Sequence, residues 1–426
     1  MMKSGYTLTG LLVVLLTLGV IGCTDKTGDN PTRAEVGEQG LVTNQSNHTF
    51  SIFFSTAKDP GFKPIRVYLP PGYDLSGGGI RYPSLYLLPP FRSDELYYFE
   101  HGLAAVADRL IAEGKIEPMI IVTLDGRSHL GGSFYTNSAC QGNHFTALFT
   151  DTSFQEYAAP GTESLYPDGG VLMYEAEATI TRIDDIFRTF DDPSRRAIGG
   201  VGMGGYGAFR AVLQTDLFGS VSAVNAPLDF DGNGSGGFLT LLDEVFINDF
   251  GAIDTAEGDL EASLILSASA AFTPHIAAFD IDSLYQDVFG QRTFTFSVDD
   301  TLTDDFRSFK AEYNIHLPYD SAGARHDYIW DLWMENNIAN LYAVADPAIA
   351  ADFMTMNKLL VSSSDAVFHY GEQMTAFTGF LGSNSMTYQT QTFNGTDRLS
   401  ATANHYLYDL LEDILIFHSN NLNPTN

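Results

Sequence analysis

Short apolar runs alternate along this chain with stretches of helical spacing, which is the pattern of an α/β fold. Thr49-Phe-Ser-Ile-Phe-Phe-Ser55 and Ile65-Arg-Val-Tyr-Leu69 read as strands, the second ended by Pro70-Pro-Gly-Tyr73. Leu85-Tyr-Leu-Leu88 and Pro118-Met-Ile-Ile-Val-Thr-Leu124 are unbroken apolar runs of the kind buried on both faces of a parallel sheet. Between them, Leu96, Phe99, Leu103, Val106, Leu110 and Ile111 predict a helix over 94–113 behind a cap at Ser93. A helix over 171–190, a strand ending at Ile198, a glycine turn at Gly202, a helix over 203–214 and the strand 220–225 continue the alternation. Near the end come a strand at 357–364, a helix at about 372–381, a strand at 386–393 and a closing helix at 401–417. The expected architecture is a mostly parallel sheet with helices on both faces, interrupted by a largely helical insertion at about 231–356.

The first 22 residues stand apart from this pattern. Lys3 precedes the apolar run Leu11–Ile21, which is too short to span a bilayer and has the form of a secretory signal. Its ending, Val20-Ile21-Gly22-Cys23, resembles a bacterial lipobox, which implies cleavage before Cys23 and a lipid on its thiol. An ordinary signal peptide beside a chance cysteine is the plainer reading. Residues 23–48 are polar and read as a flexible tether, with one globular domain over 49–426. With Cys23 acylated only Cys140 remains, so no internal disulfide supports the fold. The expected location is outside the cytoplasm, with a membrane anchor through Cys23. Thr24 in place of aspartate points to an outer membrane or cell surface rather than an inner membrane.

The chain carries 53 acidic against 22 basic residues, a net charge of −31. Such a surface repels nucleic acid and anionic lipid headgroups, and it names no substrate.

The candidate chemistry centres on Ile198-Gly-Gly-Val-Gly-Met-Gly-Gly-Tyr-Gly-Ala208. Gly200, Gly202 and Gly205 spell G-x-G-x-x-G, a dinucleotide fingerprint, but the next strand ends in Asn225 where a ribose-binding acid is wanted. The same stretch also reads as a nucleophile elbow, G-x-S-x-G, with Gly202 in the serine's place.

Several motifs in order carry a resemblance: Val67-Tyr-Leu-Pro-Pro-Gly-Tyr73, Tyr86-Leu-Leu88, Gly132-Ser-Phe-Tyr-Thr-Asn-Ser138, Ile186-Phe-Arg-Thr189 and Gly202-Met-Gly-Gly-Tyr-Gly-Ala208. Together they resemble the putative-esterase (esterase D-like) family of α/β-hydrolases, which includes feruloyl and acetyl-xylan esterases, S-formylglutathione hydrolases and mycolyltransferases. The resemblance implies an α/β-hydrolase fold, a cleft at the C-terminal edge of the sheet and no required cofactor. It places Gly202 at the nucleophile position and Met203 at an oxyanion N–H position. Asp365, after the strand at 357–364, falls at the triad acid position, and the nearest late histidine is His405. A rival pair is Asp300, after Thr293–Val298, with His326 in Gly323-Ala-Arg-His-Asp-Tyr-Ile-Trp330.

The sequence departs from that family at two further places. Pro89 and Pro90 stand where the family has His-Gly, so two N–H groups are lost beside the expected oxyanion site, leaving Phe91 or Arg92 to donate. The loop Asn394–Ser400 holds no histidine. The expectation is therefore a protein that lacks serine-esterase activity and binds an acylated or carbohydrate ligand. An active hydrolase with an unorthodox nucleophile, such as Cys140 beside His129 and His144, and a structural envelope lipoprotein are the alternatives.

Two other features bear chemistry. Asp229, Asp231 and Asn233 match the opening of a calcium loop, D-x-D-x-N-G, although Thr240 stands where the bidentate glutamate belongs, and a solvated turn explains them as well. Trp330 and Trp333 read as core packing or as a sugar-stacking face.

Overall fold

A computed structural model of the chain describes residues 41–47, 63–73, 79–128, 130–138, 141–150, 152–155, 173–176, 178–232, 237–241, 260–273, 318, 325, 327–365, 369–396 and 405–422. Eight strands form one sheet: β1 (Leu41–Asn47), β2 (Lys63–Leu69), β3 (Ser84–Leu88), β4 (Ile120–Leu124), β5 (Arg196–Val201), β6 (Ser220–Val224), β7 (Asn357–Asp365) and β8 (Gln389–Thr396). Their spatial order is β1-β2-β4-β3-β5-β6-β7-β8. Strand β2 is antiparallel to both β1 and β4, and the remaining pairings are parallel. The two late predicted strands thus take the last two places in the sheet, as the sequence pattern predicts.

The helices are α1 (Leu103–Ala112), α2 (His144–Phe149), α3 (Thr179–Phe187), α4 (Met203–Gln214), α5 (Leu260–Phe272), α6 (Asp327–Glu335), α7 (Ile338–Val344), α8 (Pro347–Thr355), α9 (Tyr370–Ser383) and α10 (His405–Leu422). Side chains alternate across the pleat, so each central strand serves two cores. Leu85, Leu87, Ile121, Val224 and Leu359 pack with α1 and α10. Tyr86, Leu88, Ile120, Val122 and Val221 pack with α4, α9 and the insertion. Every residue of β3, β4, β5 and β6 is buried, which is why β3 and β4 read as unbroken apolar runs.

Several expected elements differ. The helix expected over 94–113 is one helical turn at Tyr97–Glu100 followed by α1, split at Gly102, where φ is 90°. Ser93 caps nothing; its N–H bonds Pro90 O at 3.1 Å. In the span expected as a helix over 171–190, Met173–Ala176 instead pairs antiparallel with Thr152–Gln155, and the helix begins at Thr179. Leu41–Asn47 lies within the stretch read as a tether and is the edge strand β1. Its polar side chains hide it from a pattern search, because an edge strand needs no apolar alternation. The expected strand Thr49–Ser55 and the rival strand Thr293–Val298 fall outside the described residues. The insertion between β6 and β7 contributes α5 to α8, in line with its helical reading.

One buried polar clip joins the last helix to the sheet. His418 on α10 is fully buried, with Nδ1 2.9 Å from Ser220 Oγ and Nε2 2.9 Å from Ser222 Oγ, both on β6. Burial pushes the imidazole pKa down to about 3. Between about pH 6.5 and 3 the unfolded chain takes up a proton that the folded chain refuses, so stability falls as pH falls through that window. The expected slope is up to about 1.4 kcal/mol per pH unit. Urea unfolding at pH 7 and pH 5 checks it: His418→Gln loses part of the wild-type difference, and an unchanged difference refutes the assignment.

Candidate active site

Strand β5 passes into α4 through Gly202, where φ is 54° and ψ is −122°. Side-chain-bearing residues are strained in this conformation, and glycine is not. The Gly202 N–H donates to Val224 O at 2.9 Å, and the Gly202 carbonyl accepts from Tyr206 N at 3.2 Å to open the helix. A Cβ at Gly202 would lie 3.5 Å from Pro90 Cβ, 3.6 Å from Tyr370 Cε2 and 3.8 Å from Asn225 O, all ordinary contacts. The turn therefore has room for a small side chain but holds none.

The next turn of α4 presses on the end of β3. A Cβ at Gly204 would overlap Leu88 O and stand 2.8 Å from Pro89 O. Met203 is fully buried, with its Sδ 3.3 Å from Phe134 N.

The loop after β3 is occupied by its own contacts. Leu88 O accepts from Tyr98 Oη at 2.7 Å, and Pro89 O accepts from Tyr135 Oη at 3.1 Å. Arg92, at φ 64°, donates its N–H to Gly131 O at 2.8 Å. One of the two N–H groups expected to remain for an oxyanion is thus already engaged. The Arg92 guanidinium reaches α5, where Nη2 lies 2.8 Å from Ser263 Oγ.

The insertion closes on the segment 126–138. Gly132 O collects Ser128 Oγ at 2.7 Å, Gln141 Nε2 at 2.9 Å and Ser267 Oγ at 2.5 Å, while Ser138 Oγ donates to Ala270 O. Phe134 and Tyr135 both hold positive φ, 49° and 50°, and both are fully buried. Phe134 meets Phe272 of α5 at 5.1 Å; Phe272 meets Phe230 at 5.2 Å and Trp333 at 5.5 Å. Phe238 links Trp333, at 5.6 Å, to Tyr370, at 6.4 Å, which walls the turn at Gly202. Trp330 and Trp333 stack on each other at 5.9 Å inside this core. Core packing, the plainer of their two readings, is what they do, and the sugar-stacking face is corrected.

Most of the remaining expected residues are placed only by the backbone or lie outside the described residues. Asp365 ends β7, two strands from β5, and His405 begins α10; the backbone places both. Asp300, His326, Asn233, Cys140, His129 and Cys23 lie outside the described residues. Asp229 turns its Oδ1 toward Asp231 N and Asn337 Nδ2, each 3.4 Å away, and burial raises its pKa. Among the described residues no group of three His, Cys, Asp or Glu is arranged to hold a metal.

Of the residues around Gly202, Pro90 and Asn225 are marked by the sequence motifs, while Tyr370 and its neighbour His369 are not. Pro90 and Tyr370 flank Gly202. Asn225, at φ 42°, accepts Ser363 N on its Oδ1 at 2.8 Å and ties the ends of β6 and β7. His369, at φ 56°, sits immediately before Tyr370 with its Nδ1 3.6 Å from Glu372 Oε2. A search of the loop after β7, rather than only the loop after β8, would have found it.

Comparison with known proteins bears on the same region. Residues 63–248 match the family model described as putative esterase. A solved ferulic acid esterase is similar at 17% identity and a TM-score of 0.52, over 90% of this chain and 99% of that one. An S-formylglutathione hydrolase from Agrobacterium tumefaciens aligns at 13% identity and a TM-score of 0.47, over 91% of this chain and 98% of that one. Residues 63–248 thus carry the esterase pattern, and the chain around them has the mostly parallel sheet of an α/β-hydrolase.

Proposed function

We propose that this protein uses the esterase scaffold without serine chemistry, binding an acylated or carbohydrate ligand rather than turning it over. The single observation that carries the reading is Gly202 in the positive-φ turn between β5 and α4. Acyl transfer on this fold needs a nucleophile at that turn, and glycine supplies none. The occupied Arg92 N–H supports the reading, because an oxyanion needs donors that are still free. The ligand class rests on likeness to a ferulic acid esterase. Ester hydrolysis by the pure protein tests this: turnover above buffer would overturn it.

The protein is exported and anchored through a lipid on Cys23. Lys3, the run Leu11–Ile21 and the small-residue ending before Cys23 support this, as does the scarcity of cysteine elsewhere. Among the described residues no helix is long and apolar enough to cross a membrane. Cys23→Ser is expected to move the protein from the membrane fraction to the soluble fraction of a bacterial host. Unchanged partition would sink the anchor.

A further inference from the structure

Helix α4 runs from the turn at Gly202 to the opposite edge of the sheet, and there it ends at a cleft of about 460 Å³. The cleft lies where β5, β6 and β7 begin, lined by Ser194, Gly219 and Asn357 beside the ends of α4 and α8. Its apolar lining is Val212, Phe218, Ile349 and Met356. Two carboxylates, Asp216 and Asp352, stand at its wall, and among the described residues neither is paired with a cation.

Two helix ends border the cleft, and that of α8 is already met by the Lys358 ammonium, so the end of α4 is the one that adds to this charge. Thr215 caps the C-terminus of α4 and Met356 that of α8, and both line the cleft. The carbonyls at a helix C-terminus carry partial negative charge and favour cations. The protein already uses one of these ends in that way. Buried Lys358 places its Nζ on Phe353 O, on Met356 O at 2.9 Å and on Thr387 O at 3.3 Å. No basic side chain lines the cleft itself, and Arg195 next to Ser194 is turned onto the Phe190 ring at 5.0 Å.

We propose that this cleft is a second binding site, separate from the C-terminal edge, for an organic ammonium carried on an aliphatic body. The two carboxylates and the C-terminal end of α4 meet the charge, and Val212, Phe218, Ile349 and Met356 meet the chain. A cleft of this size with an apolar floor and a few convergent polar groups has the dimensions of a small-molecule site. The site does not depend on whether Gly202 is catalytically silent.

Isothermal titration of the pure protein with 1,5-diaminopentane, beside neutral 1,5-pentanediol, tests the proposal. The titrations run at about 0.15 M salt, where the Debye length is about 8 Å and attraction to the acidic surface at large is screened. The diamine is expected to bind and the diol not. Asp216→Asn with Asp352→Asn is expected to weaken diamine binding at least tenfold, while Asp331→Asn with Glu335→Gln, exposed acids on α6, leaves it unchanged. Absence of diamine binding, equal binding of the diol, or equal loss in both variant pairs would overturn the site.

Discussion

Pure protein lacking its signal segment is expected to release no nitrophenol from short-chain esters above the buffer rate, and Gly202→Ser is expected to remain equally silent. The added serine has space, since its Cβ lies 3.5 Å from Pro90 and 3.6 Å from Tyr370. It accepts a φ of 54°, at a cost of about 1–3 kcal/mol in strain, so the variant folds with a lower melting temperature. A hydroxyl alone is a weak nucleophile and needs a base within hydrogen-bond reach. Among the described residues the side chains nearest that Cβ are Pro90 and Tyr370, and neither is a base. The hole is impaired as well: the Arg92 N–H already bonds Gly131 O, and losing one oxyanion donor costs about 10²–10³ in rate. If the variant gains activity, a base and a hole survive and only the nucleophile was lost. If the wild type itself turns over ester, the non-catalytic reading fails, and His369, paired with Glu372 beside Tyr370, becomes the first residue to substitute.

The fold was largely legible because its central strands are buried on both faces. β3 and β4 announce themselves as unbroken apolar runs, and the glycines at the end of β5 mark the turn. What escaped was governed by other forces. β1 is rich in polar residues and pairs antiparallel with β2 along its whole length. The hairpin strand Met173–Ala176 has helical-looking neighbours, and its partner at Thr152–Gln155 decides its state. The candidate site was legible at Gly202, where a backbone requirement leaves a mark in sequence. Its walls were legible only in part: Pro90 showed as a departure from the family motif, while Tyr370 reaches the turn from a separate segment that no motif marks. The role of the insertion was hidden too: Ser263, Ser267 and Phe272 bind the loops of the C-terminal edge only through tertiary contacts.

Gly204→Ala is expected to be the most damaging single-methyl change in the molecule, destabilising it by about 4 kcal/mol or more. Helix propensity alone predicts the reverse, since alanine is favoured over glycine by about 1 kcal/mol inside a helix. Sterics decide the sign. The new methyl would fall on Leu88 O and 2.8 Å from Pro89 O, and both are backbone atoms whose carbonyls already accept from Tyr98 and Tyr135. Neither can retreat without breaking a buried hydrogen bond and pulling β3 from its parallel register with β5. Gly202→Ala, two residues earlier, meets only contacts of 3.5 Å and longer, so it is expected to cost no more than the strain of its φ, about 1–3 kcal/mol. Urea midpoints for the two alanine variants compare them directly. The order wild type, then Gly202→Ala, then Gly204→Ala means that the close approach of α4 to β3 fixes the elbow, whatever occupies position 202. A Gly204→Ala variant as stable as the wild type would mean that α4 stands off from β3, and the wall built by Pro90 and Tyr370 around Gly202 would lose its support.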